Sequence, residues 1–230
     1  VDGLVGVTDE IRDYETHRTG RDVVSATIAN GIDVASIAHT GFVPFDGREL
    51  RLLFIAGSHA PWHGTDRLLA SLENYNGAIR VHLDMVGSAK EPPGTRTVRG
   101  PVTIDYHGTL KGEALDACFK GATLAVSSLA MFRNGLEQGC VLKSREYVAR
   151  GMPLVVGYDD VDLRGDLPFC LRVPNDDSLL DLERLLEFAA RTSERENLTE
   201  TIRAFAVDEL DWSRKMQQFS NFATSLAATR

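Results

Sequence analysis

Short apolar runs alternate with segments of helical spacing along most of this chain, and that alternation restricts the fold more than any other feature. The runs are Leu4–Val7, Val23–Ile28, Leu50–Ala56, Ile79–Val86, Val102–Tyr106, Thr123–Val126, Pro153–Val156 and Phe169–Val173. Between most of them lie Thr8–Arg18, Gly64–Tyr75, Lys111–Lys120, Val141–Arg150 and Ser178–Arg191, where apolar residues recur every three or four positions. Strands apolar on both faces, separated by helices, predict an α/β protein: a Rossmann-like parallel sheet with helices on both faces. In such sheets ligands bind beyond the carboxyl ends of the strands, in loops that lead into helices. The chain closes differently, with two consecutive helices expected over 194–209 and 211–228. Trp212, Met216, Phe219 and Phe222 form an apolar stripe on the second. Packing on the domain's own core is the plain reading of that stripe, and contact with a neighbouring domain is the alternative.

Composition narrows the functional classes. A hydrophobic content of 43% suffices for a real core, and a formal net charge of −8 argues against a nucleic-acid-binding face. Cys118, Cys140 and Cys170 are odd in number, far apart and without a CxxC pair. Free thiols in a reducing cytoplasm are expected from them rather than disulfides or a zinc site. No apolar run reaches bilayer-spanning length and nothing at the start resembles a signal peptide. A cytoplasmic location is therefore expected, with peripheral attachment at the inner membrane face left open. A chain that opens on Val1 rather than methionine reads as cut or processed.

Ala38–Glu49 (AHTGFVPFDGRE) has the Gly/Pro/Asp content of a connector. The strand–helix–strand unit before it is too small to bury its own faces, so residues 1–38 read as the edge of a domain whose remainder lies upstream. Residues 39–230 then form the main domain.

The stretch from Gly135 to Gly157 carries the strongest chemical signal. It reads as a glycine-marked loop, a helix, a Gly stop and an apolar strand. A helix that starts directly after such a loop aims free N–H groups and its positive dipole end at the pocket, which suits a phosphate. Lys143 sits in the first helical turn, where a cation is unfavourable for the helix itself; a bound anion would compensate it. Glu146, one turn on, can accept two hydroxyl hydrogen bonds, as a ribose diol offers. The competing reading is a solvated i,i+3 pair worth a few tenths of a kcal/mol. A second strand-end loop, Gly57-Ser58-His59-Ala60-Pro61-Trp62-His63-Gly64, also precedes a helix. His59 and His63 are spaced like helical metal ligands, but Pro61 and the flanking glycines argue against a helix there. A phosphate donor and an ordinary loop histidine both stay open. Val86-Gly87-Ser88, His107-Gly108-Thr109-Leu110 and Ser127-Ser128 end other strands. GxGxxG, P-loop, GxSxG and HExxH motifs are absent.

This order of motifs resembles the carboxyl-terminal half of a retaining GT-B glycosyltransferase of family 4 type, over nearly the whole chain. Glu146 followed by Arg150-Gly151-Met152-Pro153-Leu154-Val155-Val156 is similar to the second acid of that family's paired-acid motif and the strand after it. Leu53–Ser58 with His63-Gly64-Thr65-Asp66-Arg67 resembles its phosphate loop, and Val86-Gly87, Tyr106-His107-Gly108 and Val126-Ser127-Ser128 its other strand ends. Gln138 stands at the first acid, Ser58 at the phosphate-binding Arg and His63 at the loop Lys. Some members carry a Trp-His-Gly loop together with a Leu-Lys-x-x-Glu-Tyr helix, as here.

The resemblance implies a GT-B C-terminal domain that binds a nucleotide-diphosphate sugar and transfers the sugar, with retention, to an unknown acceptor (glycan, lipid-linked or small molecule). Carried over residue by residue, Glu146 would bind ribose, and Lys143, Ser58 and His63 would meet the diphosphate. Gly57 and Gly139 would give close backbone approach, and Thr109 and Leu110 would lie near the base. Glu137 and Gln138 would lie near the sugar, with Gly64 and Leu142 in the same donor site. No catalytic base, cofactor or metal is expected, and the missing N-terminal acceptor domain would leave this portion inactive alone. A binding domain without catalysis and a sugar-nucleotide epimerase of the same architecture are the alternatives. The base, the sugar, the acceptor and the oligomeric state are not readable from the residues.

Overall fold

The computed structural model describes residues 1–58 and 60–228, so His59 and the last two residues lie outside the described residues. In chain order the elements are β1 (Leu4–Gly6), α1 (Asp9–Arg18), β2 (Ser25–Thr27), β3 (Glu49–Ala56), α2 (Thr65–Glu73), β4 (Arg80–Gly87), β5 (Thr95–Arg99) and β6 (Val102–Gly108). They continue with α3 (Gly112–Gly121), β7 (Leu124–Val126), β8 (Gln138–Gly139), α4 (Leu142–Ala149), β9 (Leu154–Val156), β10 (Asp159–Asp160), β11 (Cys170–Arg172), α5 (Leu182–Ser193), α6 (Leu198–Phe205) and α7 (Trp212–Ala228).

The main sheet is seven-stranded, in the order β11-β9-β7-β3-β4-β6-β5. All neighbours are parallel except β5, which pairs antiparallel with β6. Leaving aside that edge strand, the order is the doubly wound one, in which the chain reverses direction across the sheet between β3 and β7. The expected α/β fold with helices on both faces is what forms. Leu50, Leu52 and Phe54 of β3 face Leu68, Leu72, Leu185 and Ala189 of α2 and α5. Leu53 and Ala125 face Phe119, Tyr147, Val148 and Ile202 of α3, α4 and α6. Strands buried on both sides need the apolar runs seen in the sequence.

Several expectations are corrected. β5 was not anticipated, because Thr95-Arg96-Thr97-Val98-Arg99 is mostly exposed and polar, as an edge strand can be. The helix expected from Ser178 begins at Leu182, because Asp181 caps it, its carboxylate accepting from Glu183 N at 3.1 Å and Arg184 N at 3.2 Å. The helix expected over 194–209 is only α6, followed by a wide π turn over Ala206–Leu210. The stripe on α7 does not pack on the main core. Trp212, Met216 and Phe219 are 42%, 51% and 47% exposed. Phe222 and Leu226 lie instead against Gly3, and Trp212 against Gly31, both in the amino-terminal 38 residues. There β1 and β2 form their own two-stranded parallel sheet. Ile32 N donates to Leu210 O and Trp212 N to Ile32 O, so the tail helix starts in register with that segment. Among the described residues no helix is long and apolar enough to cross a membrane.

A buried ionic network ties these parts together. Arg145 of α4, with a fully buried side chain, pairs with buried Asp160 and, at 2.7 Å, with Asp162, and its Nε donates to Asn30 O. Lys215 of α7, only 2% exposed, reaches the other oxygen of Asp162 at 2.7 Å. Removing one member strands a buried charge. Arg145→Met is expected to cost about 3–5 kcal/mol. Arg145→Met with Asp160→Leu should recover part of that loss, and urea denaturation of both variants checks it.

Candidate functional site

A cavity of about 650 Å³ opens at the reversal point of the sheet. Its wall combines Gly57, Trp62 and His63 beyond β3, Met131, Leu136, Gln138 and Gly139 before α4, and Leu142 and Lys143 of α4. Val7, Thr8, Ile11 and Asn30 of the amino-terminal segment complete it. The crevice thus lies at the carboxyl ends of parallel strands, where this topology binds ligands.

Lys143 points into it. Its Nζ donates to Ile55 O at 3.1 Å, approaches His63 Nδ1 at 3.3 Å and sits 4.5 Å from the Phe54 ring centroid. Among the described residues no carboxylate pairs with it, and burial pulls its pKa down to about 7. Burial, followed by the Lys143 charge, pushes His63 down to about 4, so the imidazole is neutral at pH 7. His63 Nδ1 also lies 3.2 Å from Ser128 Oγ. With Nδ1 accepting from Lys143, the ring proton sits on Nε2, a remaining donor. An ammonium without a counter-ion, beside a neutral imidazole and at the start of α4, is arranged to receive an anion.

Of the residues singled out from sequence, Gly57, His63, Gln138, Gly139, Leu142 and Lys143 line this one cavity. Ser58 is exposed on the loop and is not part of the wall. Gly64 is buried and structural: its φ of 67° ends a 3₁₀ turn, and a Cβ there would meet Leu129 at 2.8 Å. Gly139 is needed for packing, since a Cβ would meet Tyr158 at 2.9 Å and Met131 at 3.0 Å; beside Gly57 there is open space. Thr109 is exposed and Leu110 packs against the α3–α4 side of the core, both away from the cavity wall.

Glu146, three residues after Lys143 on α4, is not among the residues of the cavity wall. Arg150 draws its carboxylate away from the cavity wall, donating from Nε at 2.9 Å, and is itself held by Asp116 at 2.7 Å. The guanidinium stacks 3.8 Å from the Phe119 ring centroid. Arg150 lies four residues after Glu146, so this pairing was available from spacing. Glu137 is exposed, and its carboxylate accepts from Asn175 Nδ2.

Sequence reasoning missed Glu10. Its carboxylate accepts from Glu137 N at 3.1 Å and Gln138 N at 2.8 Å, while Glu10 N donates to Gln138 Oε1 at 3.2 Å. The backbone N–H groups of Glu137 and Gln138, the residues expected near the sugar, are therefore already engaged by the chain's own acid. A separation of 127 positions left no local signal for the Glu137 contact.

The strand order and this crevice define the Rossmann-like domain of a GT-B fold. Solved structures with that arrangement include sucrose-phosphate synthase from Thermosynechococcus elongatus, at 17% identity and a TM-score of 0.62, covering 99% of this chain and 58% of that one. Anabaena HepE in complex with UDP matches at 12% identity and a TM-score of 0.66, covering 98% of this chain and 64% of that one. The lipopolysaccharide outer core galactosyltransferase WaaB, in its apo form, matches at 10% identity and a TM-score of 0.65, covering 98% and 62%. The chain thus spans 58–64% of the length of these structures. No protein-family model matches the sequence, and no curated protein matches it.

The Lys143 environment sets a pH dependence with a definite sign. Its folded pKa of about 7 lies below the unfolded value of 10.5, so the unfolded chain binds more protons between those limits. Stability from this group therefore rises from pH 7 to pH 10.5 and is reduced below pH 7. Lys143→Met is expected to raise stability at pH 6–7 by about 1–2 kcal/mol, solvent access keeping the gain modest, and to flatten that part of the profile. Thermal melts across pH 6–10 measure both.

Proposed function

We propose that this chain is the donor-binding part of a glycosyltransferase of the retaining, family 4 type, which transfers a sugar from a nucleotide diphosphate to a separate acceptor. The observation that carries the reading is the Lys143 ammonium, which has no carboxylate partner among the described residues and faces neutral His63 at the sheet's reversal point. The HepE structures with UDP and with UDP-glucose share the fold and motivate the choice of ligand. In this reading Lys143 and His63 contact the diphosphate and stabilise the charge of the leaving group, aided by the start of α4. Gln138, Gly139 and Leu142 border the sugar. Beyond the described cavity wall, Glu146, oriented by Arg150, takes the ribose, and the loop at Thr109 and Leu110 adjoins the base. Residues 1–38 belong to the edge of the acceptor domain, 39–230 form the donor domain, and the enzyme works in the cytoplasm.

A reading as a nucleotide-sugar-binding domain without turnover draws support from one specific contact, the Glu10 carboxylate on the N–H groups of Glu137 and Gln138.

Calorimetric titration with UDP-glucose and GDP-mannose tests the pocket. Lys143→Ala and Glu146→Ala should each weaken binding by roughly 1.5–3 kcal/mol, the value of a charged hydrogen bond. Parent-like affinity in both variants would sink the assignment. Affinity of the parent for UDP-glucose should fall as pH rises from 6 to 8.5, because Lys143 loses its proton near pH 7. Turnover by these 230 residues alone should be negligible; robust transfer would refute the division between donor and acceptor parts.

A further inference from the structure

On the α3 side of the sheet, towards its β5 edge, the apolar pattern gives way to coordinating groups. β4 presents His82 and Asp84, and β6 presents Asp105 and His107; residues two apart on a strand share a face. Asp84 and Asp105 are direct partners in the parallel register, so two carboxylates stand opposite one another, an arrangement that is unfavourable without a cation. Arg96 answers Asp105, donating from Nε at 2.6 Å and Nη2 at 2.7 Å. Asp84 feels the same Arg96 only at longer range: among the described residues it makes no direct ion pair with a lysine or arginine, although its side chain is only 16% exposed. Around its Oδ1 are His107 Nε2 at 2.6 Å and His82 Nε2 at 3.9 Å. Cys118, from α3, completes a group with Asp84 and His107 whose ligand atoms all lie within 4.8 Å of one another.

We infer that Asp84, His107 and Cys118 form a binding site for a zinc ion, with the fourth position left to water. An imidazole nitrogen, a thiolate and a carboxylate are donor types zinc takes, at about 2.0–2.3 Å. A tetrahedron of that size has edges of about 3.3–3.7 Å, inside the 4.8 Å that bounds the present separations of these three ligand atoms. The thiol proton leaves to solvent as the sulfur binds. Asp105, fixed by Arg96, lies 2.8 Å from His82 Nε2 and engages it, so that imidazole stands beside the site and outside the ligand set. None of these residues lines the candidate nucleotide cavity, and none is assigned a role in the function proposed above. Its ligands come from β4, β6 and α3, and a bound ion would pin that helix to the sheet.

The test uses the purified, metal-stripped protein, titrated with Zn(II) by calorimetry and with Co(II) by absorption spectroscopy. The expected result is one equivalent of tightly bound metal, with the visible bands of tetrahedral Co(II) and a near-ultraviolet thiolate charge-transfer band. Cys118→Ser should delete the charge-transfer band, whereas Cys170→Ser should leave it unchanged. Asp84→Asn and His107→Ala should weaken Zn(II) binding by at least about tenfold. Thermal melts of the metal-free variants identify any that fail to fold, and Cys118→Ser, nearly isosteric, carries the decision if others do. Absence of stoichiometric binding, or a charge-transfer band that survives Cys118→Ser, overturns the proposal.

Discussion

The Arg145 guanidinium, shared between Asp160 and Asp162, is the interaction on which the rest of this structure leans. It lies in the same helix as Lys143 and closes the gap between that helix, the strand-end loop beyond β9 and the Asn30 carbonyl. Lys215 extends the same network into α7. Charges so deep in the protein are a poor source of net stability, since desolvation offsets most of their attraction. Their value is geometric. A shift of α4 by one residue would leave several charges buried and unpaired, so the network fixes the register of the helix that delivers Lys143 to the cavity.

With α4 fixed, the electrostatics of the crevice follow. Lys143 finds a carbonyl, an imidazole and an aromatic face, but no carboxylate among the described residues. The site holds a cation it does not neutralise, at a cost to the folded state, in a protein whose overall charge is negative. Functional sites concentrate this kind of local penalty. Ser127, Ser144 and Tyr158, hydrogen-bonded to each other beneath the start of α4, satisfy the remaining buried hydroxyls there.

Most of the fold was legible because both periods of the sequence are clean. The runs of β3, β7 and β9 are apolar on both faces, which only a doubly covered sheet requires, and α2, α3 and α5 carry clear stripes. β5 was illegible because an exposed, alternating Thr/Arg edge has no core face to advertise. The candidate site was legible in part. Lys143 could be picked out as a cation in the wrong turn of a helix, and His63 from its loop. Glu146 could not be placed, because the choice between solvent, ligand and Arg150 is made by Asp116 and Phe119, which the chain brings from α3. The five-residue cluster around Asp84 escaped for a similar reason. Its two strand pairs are separated by a hairpin, and Cys118 looks like any helical thiol until α3 is laid on the sheet.

The bond from Glu10 to the amides ahead of α4 has a consequence of its own. Those two N–H groups cannot serve an incoming molecule while the carboxylate holds them. Anything that recruits them must first evict an acid belonging to the opposite wall, so occupancy of the crevice and the spacing of its walls become a single coupled equilibrium, in the manner of a catch released by its own key.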